Sequence, residues 1–548
     1  MAASSPPDLL HPPSTFGGGA RIDVTDVRRT MSFAFASGVA GGLFAEALAN
    51  TKVAPSTWDP SSFVHDLFVA DFVAHCLKAD RGAEPLVSPT HLVRLLSQPP
   101  IDVAIVEHRR KILAELDGSK ELRADAEKAY AALRRFRSLL EGASGVMKWD
   151  VNRRQIDILV AVKEAFDALA DGFEGAESGL ASLREFGARV RASEPYASLA
   201  DLLRYDESLA TLDVKVSVGA DGRIRGLKVM AIAEDETNPF VSSPLRRWLG
   251  KIELFFRGFK MSDGEVMARL IDAVFEGVQD DCLAFVQLLG DLEFYLGALA
   301  FADLSRAAGL SVVLPDLVSP NAPRTLDGLF NPLLLAHGVK PVPCTLAIDR
   351  HAVTVLVTGP NSGGKTRLMQ ALGLAQILAQ SGLFVPAAKA TVAPAPGLVV
   401  SLLEETRADQ REGRLGTELV RIRELFEELP PGAMIVLGEL CSGTNPSEGE
   451  EIFELVVRML DKLAPQVFIT THFLELAARL EKDESFTGLR FLQVELGPDQ
   501  EPTYQFVPGV ARTSLVRQAA ERLGVTREQL LALIDKNVSK NSGSTDAR

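Results

Sequence analysis

Thr358-Gly-Pro-Asn-Ser-Gly-Gly-Lys-Thr366 sits between two different local patterns. Ahead of it runs Val353-Thr-Val-Leu-Val357, short, apolar and β-rich; behind it the apolar residues recur at helical spacing. Gly359, four intervening residues, then Gly364-Lys365-Thr366 reproduce G-x-x-x-x-G-K-[ST] in the strand–loop–helix setting that the motif requires. Glycines let backbone N–H groups close around a phosphate, and the N-terminus of the following helix adds a favourable dipole. Gly359, Pro360, Asn361, Ser362, Gly363, Gly364, Lys365 and Thr366 therefore read as a phosphate loop for ATP. Lys365 would reach the β and γ oxygens, and the Thr366 hydroxyl would ligate Mg2+.

Two more apolar runs, Met434-Ile-Val-Leu437 and Val467-Phe-Ile-Thr470, share this setting. Short buried strands that alternate with helices imply a mainly parallel α/β sheet, which Leu489–Leu496 and Thr503–Val507 would extend. The Met434 run empties into Gly438-Glu439. Glu439 is the candidate catalytic carboxylate that polarises the attacking water. His472, just after the third run, reads either as a satisfied structural histidine or as a second candidate that senses the γ-phosphate through a hydrogen bond.

These residues resemble the nucleotide-binding domain of the MutS family. TGPNSGGKT followed by GLAQILAQSGLFVPA is similar to that family's T-G-P-N-x-G-G-K-[ST] loop and the V-P-A after its first helix. Glu439-Leu-Cys-Ser-Gly-Thr-Asn-Pro-Ser-Glu-Gly449 resembles its D-E-[IL]-G-x-G-T segment, and Val467-Phe-Ile-Thr-Thr-His-Phe-Leu-Glu475 its strand ending in T-H-[YF]. More faintly, Gln98–Ile112 and Leu289–Ala300 resemble the family's core-and-lever region, and Asn331-Pro332 stands where relatives have His-Pro. The resemblance implies an α/β P-loop ATPase domain over 328–510, preceded by a large, mostly α-helical core and lever domain over 21–327. It finds no N-terminal mismatch-reading domain and no nuclease-like extension. Two departures imply weakened hydrolysis: Gly438 replaces the family's magnesium-organising aspartate, and Gly413 stands where relatives carry a serine offered across the dimer. Glu404 or Glu405 would be the compensating acid.

Outside the motifs, the reading is coarser. A chain of 548 residues exceeds one ordinary core. Residues 1–20 are rich in Pro, Ser and Gly and read as a disordered tail. Helical periodicity covers Ile105 to Leu116, Glu121 to Leu140, Ile156 to Phe173 and Ser262 to Ala308; a hairpin signal lies near 212–230. Residues 511–548 read as a C-terminal helical pair and dimer contact. Arg28-Arg29 ahead of an Ala-rich run imitates an export signal, but the run reads as a packed helix. No long membrane span is expected.

The four cysteines have no C-x-x-C spacing, which excludes a zinc ribbon and a disulfide framework and fits a cytoplasmic protein. A net charge of −14 argues against indiscriminate nucleic-acid binding. Basic clusters at Arg109-Arg110-Lys111, Arg134-Arg135-Phe136-Arg137, Arg153-Arg154 and Arg246-Arg247-Trp248 read either as phosphate contacts to DNA or as helix faces paired with acids. The leading expectation is a homodimeric, structure-specific DNA clamp gated by ATP and Mg2+. The alternative is a nucleotide-binding scaffold acting on a protein partner. A transporter ATPase is disfavoured, because no L-S-G-G-Q-type signature is present.

Overall fold

The computed structural model describes residues 6–37, 41–78, 86–142, 151–208, 212–218, 224–232, 263–402, 413–441, 445–463, 465–512 and 525–542. The chain divides into two compact units. The first comprises Met1–Ser56, Ala70–Leu304 and Gln380–Leu383; the second comprises Thr57–Val69, Ser305–Ala379 and Phe384–Arg548.

Among the described residues, the first unit is helical apart from one antiparallel pair, β1 (Leu212–Val218) and β2 (Ile224–Ile232). Its helices follow from local chemistry. Helix Lys120–Glu141 opens with Ser119 as N-cap, whose hydroxyl accepts from Leu122 N–H, and Glu121 adds negative charge to the first turn. Leu122, Ala126, Ala129, Leu133, Phe136 and Leu140 then recur at helical spacing and are buried. Helix Asp263–Ala307 supplies the central element of this unit as far as Leu304. By length and mean hydropathy it is apolar enough to cross a bilayer, contrary to the expectation of no such span, yet its most apolar window is wholly buried in protein. A predominantly apolar helix enclosed on all sides is what a core centre requires.

The tail expected to be disordered is packed from Pro6 onward. Leu9, Leu10 and His11 are fully buried. Polar side chains of the central helix satisfy their backbone: Asp291 Oδ2 accepts from Leu9 N–H (3.1 Å), Tyr295 OH donates to Leu9 O (2.6 Å), and Gln287 Nε2 donates to Pro7 O (2.8 Å). Composition misleads here because tertiary partners, rather than local periodicity, supply the hydrogen bonds.

Among the described residues, the second unit contains two sheets. Strands β3 (Asp316–Leu317), β4 (Arg324–Leu329), β5 (Cys344–Ile348) and β7 (Lys389–Val392) form a mixed sheet in the order β3-β7-β4-β5, which the sequence did not announce. The larger sheet is β12-β11-β6-β10-β9-β8, from β6 (Thr354–Thr358), β8 (Leu398–Ser401), β9 (Met434–Leu437), β10 (Gln466–Thr470), β11 (Leu489–Leu496) and β12 (Pro502–Pro508). It is parallel except where β12 pairs with β11. Every residue of β6, β9 and β10 is buried, as expected of strands covered on both faces. The chain leaves β6 for the β8 edge, returns through β9 to β10 beside β6, then crosses to β11 on the other flank. That reversal makes the carboxyl ends of β6, β9 and β10 the crevice where ligands of open α/β sheets collect.

Candidate nucleotide site

Three loops meet at that crevice. The first, Gly359–Gly364, joins β6 to helix Lys365–Gln380. Gly359 (φ 134°) and Gly364 (φ 82°) occupy backbone conformations open to glycine, and a Cβ at Gly359 or Gly363 would stand 2.7 Å from Val494 Cγ2. The loop is therefore pressed onto β11 at Gly359 and Gly363, where a side chain would clash. Lys365 is buried, its Nζ donating to Gly359 O (2.8 Å) and Pro360 O (3.1 Å), so the ammonium is held inside the curl of the loop. Burial pulls its pKa down, while the nearby Glu439 carboxylate opposes that shift. The first N–H groups of the helix have no partner within it, as at any helix start. Asn361, Ser362 and Thr366 are exposed at the mouth.

The second loop follows β9. Glu439 (φ 42°) and Cys441 (φ 62°) both lie in the left-handed region, an arrangement that non-glycine residues hold only under constraint. Part of that constraint is visible: Glu439 N–H donates to Thr470 Oγ1 at 2.9 Å. Gly438 N–H bonds Ser401 O on β8, and a Cβ on Gly438 would meet Leu402 Cα at 3.3 Å and Ser401 O at 3.4 Å.

The third loop follows β10, where Thr471 N–H donates to Val357 O at 3.1 Å. His472 Nε2 lies 2.7 Å from Glu439 Oε1. The hydrogen bond to His472 is the main reason the Glu439 carboxyl is held below the usual carboxylate range; partial burial opposes this, and the charges of His472 and Lys365 assist it. The two residues that the sequence suggested for separate tasks thus form one pair.

A cavity of about 590 Å³ opens beside these loops, with Thr366, Gly438, Glu439 and Thr470 in its wall together with Asp66 and Ser401. Two residues near these loops escaped the sequence reading. Tyr504 on β12, exposed and left-handed (φ 61°), lies 3.2 Å through Cδ1 from the position a Gly364 Cβ would take. Asp66 comes from a segment some three hundred positions before the loop, so no local pattern could signal it. Glu404, Glu405 and the loop 442–444 lie outside the described residues, as do the side chains of Gly413's neighbours Leu415 and Glu418.

The arginines proposed for DNA are mostly committed elsewhere. Arg109 is buried, donating through Nε to Leu10 O (3.0 Å) and facing the Phe294 ring. Arg154 donates to the carbonyls of Ala34, Phe35 and Leu140. Arg135 pairs with Glu164, Arg137 with Glu141 and Arg153 with Asp157. Arg246 and Arg247 lie outside the described residues.

Fold and site together define an α/β domain with a glycine loop at the carboxyl edge of a parallel sheet. Residues 355–534 match MutS domain V, so this part of the chain carries a MutS-type domain. The chain is 34% identical over 188 residues to Endonuclease MutS2 of Thermus thermophilus, covering 34% of this chain and 25% of that protein. To Endonuclease MutS2 of Thermomicrobium roseum it is 28% identical over 242 residues, 42% of this chain and 30% of the relative. For the Anaeromyxobacter protein of the same name the figures are 30% over 260 residues, 43% and 31%. The chain thus spans about a quarter to a third of the length of these relatives.

Proposed function

We propose that this chain is an ATP-binding, DNA-directed ATPase of repair or recombination, a homodimeric cytoplasmic clamp whose helical region serves as core and lever. The observation that carries the reading is the buried Lys365, under the charge of the Glu439–His472 pair at a glycine-rich loop. Lys365 and the loop N–H groups bind phosphate oxygens. Glu439, kept ionised by His472, accepts a proton from and orients the attacking water. His472 holds that carboxylate in place. When bound, magnesium neutralises charge on the phosphate oxygens. Among the described residues no group of three or more His, Cys, Asp or Glu is arranged to hold a metal. Magnesium beside a nucleotide does not need one, since it takes one or two protein oxygens, phosphates and water. The Thr366 hydroxyl fits that role.

The alternative, a nucleotide-gated scaffold acting on a protein, draws support from the buried and paired arginines described above. Two measurements decide. Lys365→Ala should reduce binding of a fluorescent ATP analogue at least 100-fold; retained affinity would refute the phosphate-loop assignment. Binding to a branched duplex that weakens steeply with salt supports the clamp, whereas no binding at low salt supports the scaffold.

A further inference from the structure

The segment Thr57–Val69 lies along the edge strand β8 and is tied to its surroundings by side chains. Trp58 Nε1 donates to Ala395 O (2.9 Å), Ser62 Oγ to Leu398 O (2.7 Å), and Asp66 Oδ2 accepts from Leu402 N–H (2.5 Å). The segment therefore carries a carboxylate to the carboxyl end of β8, where β9 hands over to Gly438. A Cβ on Gly438 would stand 3.3 Å from Leu402 Cα, so the Asp66 oxygen lies no more than about 7 Å from where an acidic side chain at 438 would begin.

Phosphate-loop enzymes hold magnesium with the loop hydroxyl and an acid at the end of a neighbouring strand, with several waters retained. Here β9 ends in glycine. Among the other acids of the wall, Glu439 pairs with His472 and Asp59 accepts from Ser61 N–H and Oγ at its own turn; Asp66 itself also faces His65, Oδ1 to Nδ1 at 3.3 Å. Asp66 shares the cavity wall with Thr366 and Glu439. We propose that Asp66 supplies the carboxylate that Gly438 lacks, holding through water the magnesium that accompanies the nucleotide. Thr57–Val69 thereby becomes part of the nucleotide site.

This inference rests on the nucleotide reading above, and the test separates the two. Binding of N-methylanthraniloyl-ATP is followed while magnesium is varied, with an EDTA control. Asp66→Asn keeps an oxygen for Leu402 N–H, yet should raise the half-saturating magnesium about 10-fold, with metal-free affinity unchanged. Ser62→Ala removes one tie of the same segment and should leave the magnesium requirement as it was. Gly438→Asp added to Asp66→Asn should restore it. An unchanged requirement in Asp66→Asn, or an equal shift in Ser62→Ala, overturns the proposal. If Asp66→Asn does not fold, Gly438→Asp alone decides: a 10-fold lower magnesium requirement would mean the position was empty, while a change under about 3-fold supports Asp66. No nucleotide binding by the unsubstituted chain overturns the nucleotide reading itself.

Discussion

His472 and Glu439 show how much one hydrogen bond can decide. Their 2.7 Å contact lowers the carboxyl pKa, and Lys365 adds to the effect through its charge. Removing the imidazole should therefore raise that pKa. In a pH–rate profile of ATP hydrolysis, His472→Ala should move the acidic limb to higher pH, because the carboxylate is then protonated sooner as pH falls. An acidic limb that stays in place would mean Glu439 is not the titrating base. The phosphate loop was legible residue by residue, since glycine is dictated by backbone conformation and by the crowding of Val494. Tyr504 and Asp66 were not legible, because each reaches the site only through sheet order or a distant segment.

At the scale of elements, the three buried strands were readable as short apolar runs, and the central helix as a long periodic stretch. Length and β-branched content separate the two cases. The four-stranded second sheet was hidden because its strands are short and their polar and apolar residues alternate only briefly. Helix Arg527–Ser542 has a consequence of its own. Leu530, Leu531, Leu533 and Ile534 are 42%, 48%, 53% and 55% exposed, a run of apolar surface consistent with the proposed dimer contact. Leu531→Asp combined with Ile534→Asp should shift the protein from dimer to monomer in light scattering and leave nucleotide affinity within about 2-fold. A native monomer, or an unaltered dimer in the variant, would remove this helix from the interface.

At the scale of the molecule, burial governs the response to pH. His91 in the helical unit is almost wholly enclosed, and burial, with Arg21 and Arg94 adding their charge, lowers its pKa to about 3. The unfolded chain protonates the same group near 6.5. Between those values unfolding takes up a proton, so this contribution to stability is complete above about 6.5 and is lost as pH falls toward 3. Thermal melts should show His91→Leu losing less stability than the unsubstituted chain between pH 6.5 and 4. Equal slopes would mean that His91 is accessible to protons in the fold. The same burial takes Arg109 out of the choice between DNA contact and acid-paired helix face: charge clusters are visible in a sequence, whereas their enclosure is not.

The sequence alone determined the phosphate-loop pattern, the parallel strands that frame it and the family resemblance, because these depend on backbone conformation and on periodicity within a few residues. Tertiary structure decided the rest. It packed residues 6–20 against the central helix, joined Glu439 to His472, buried or paired most of the candidate DNA arginines and brought Asp66 to Leu402 at the end of β8. Each of these depends on groups far apart in the chain, whose meeting is set by sheet order and core packing rather than by local spacing.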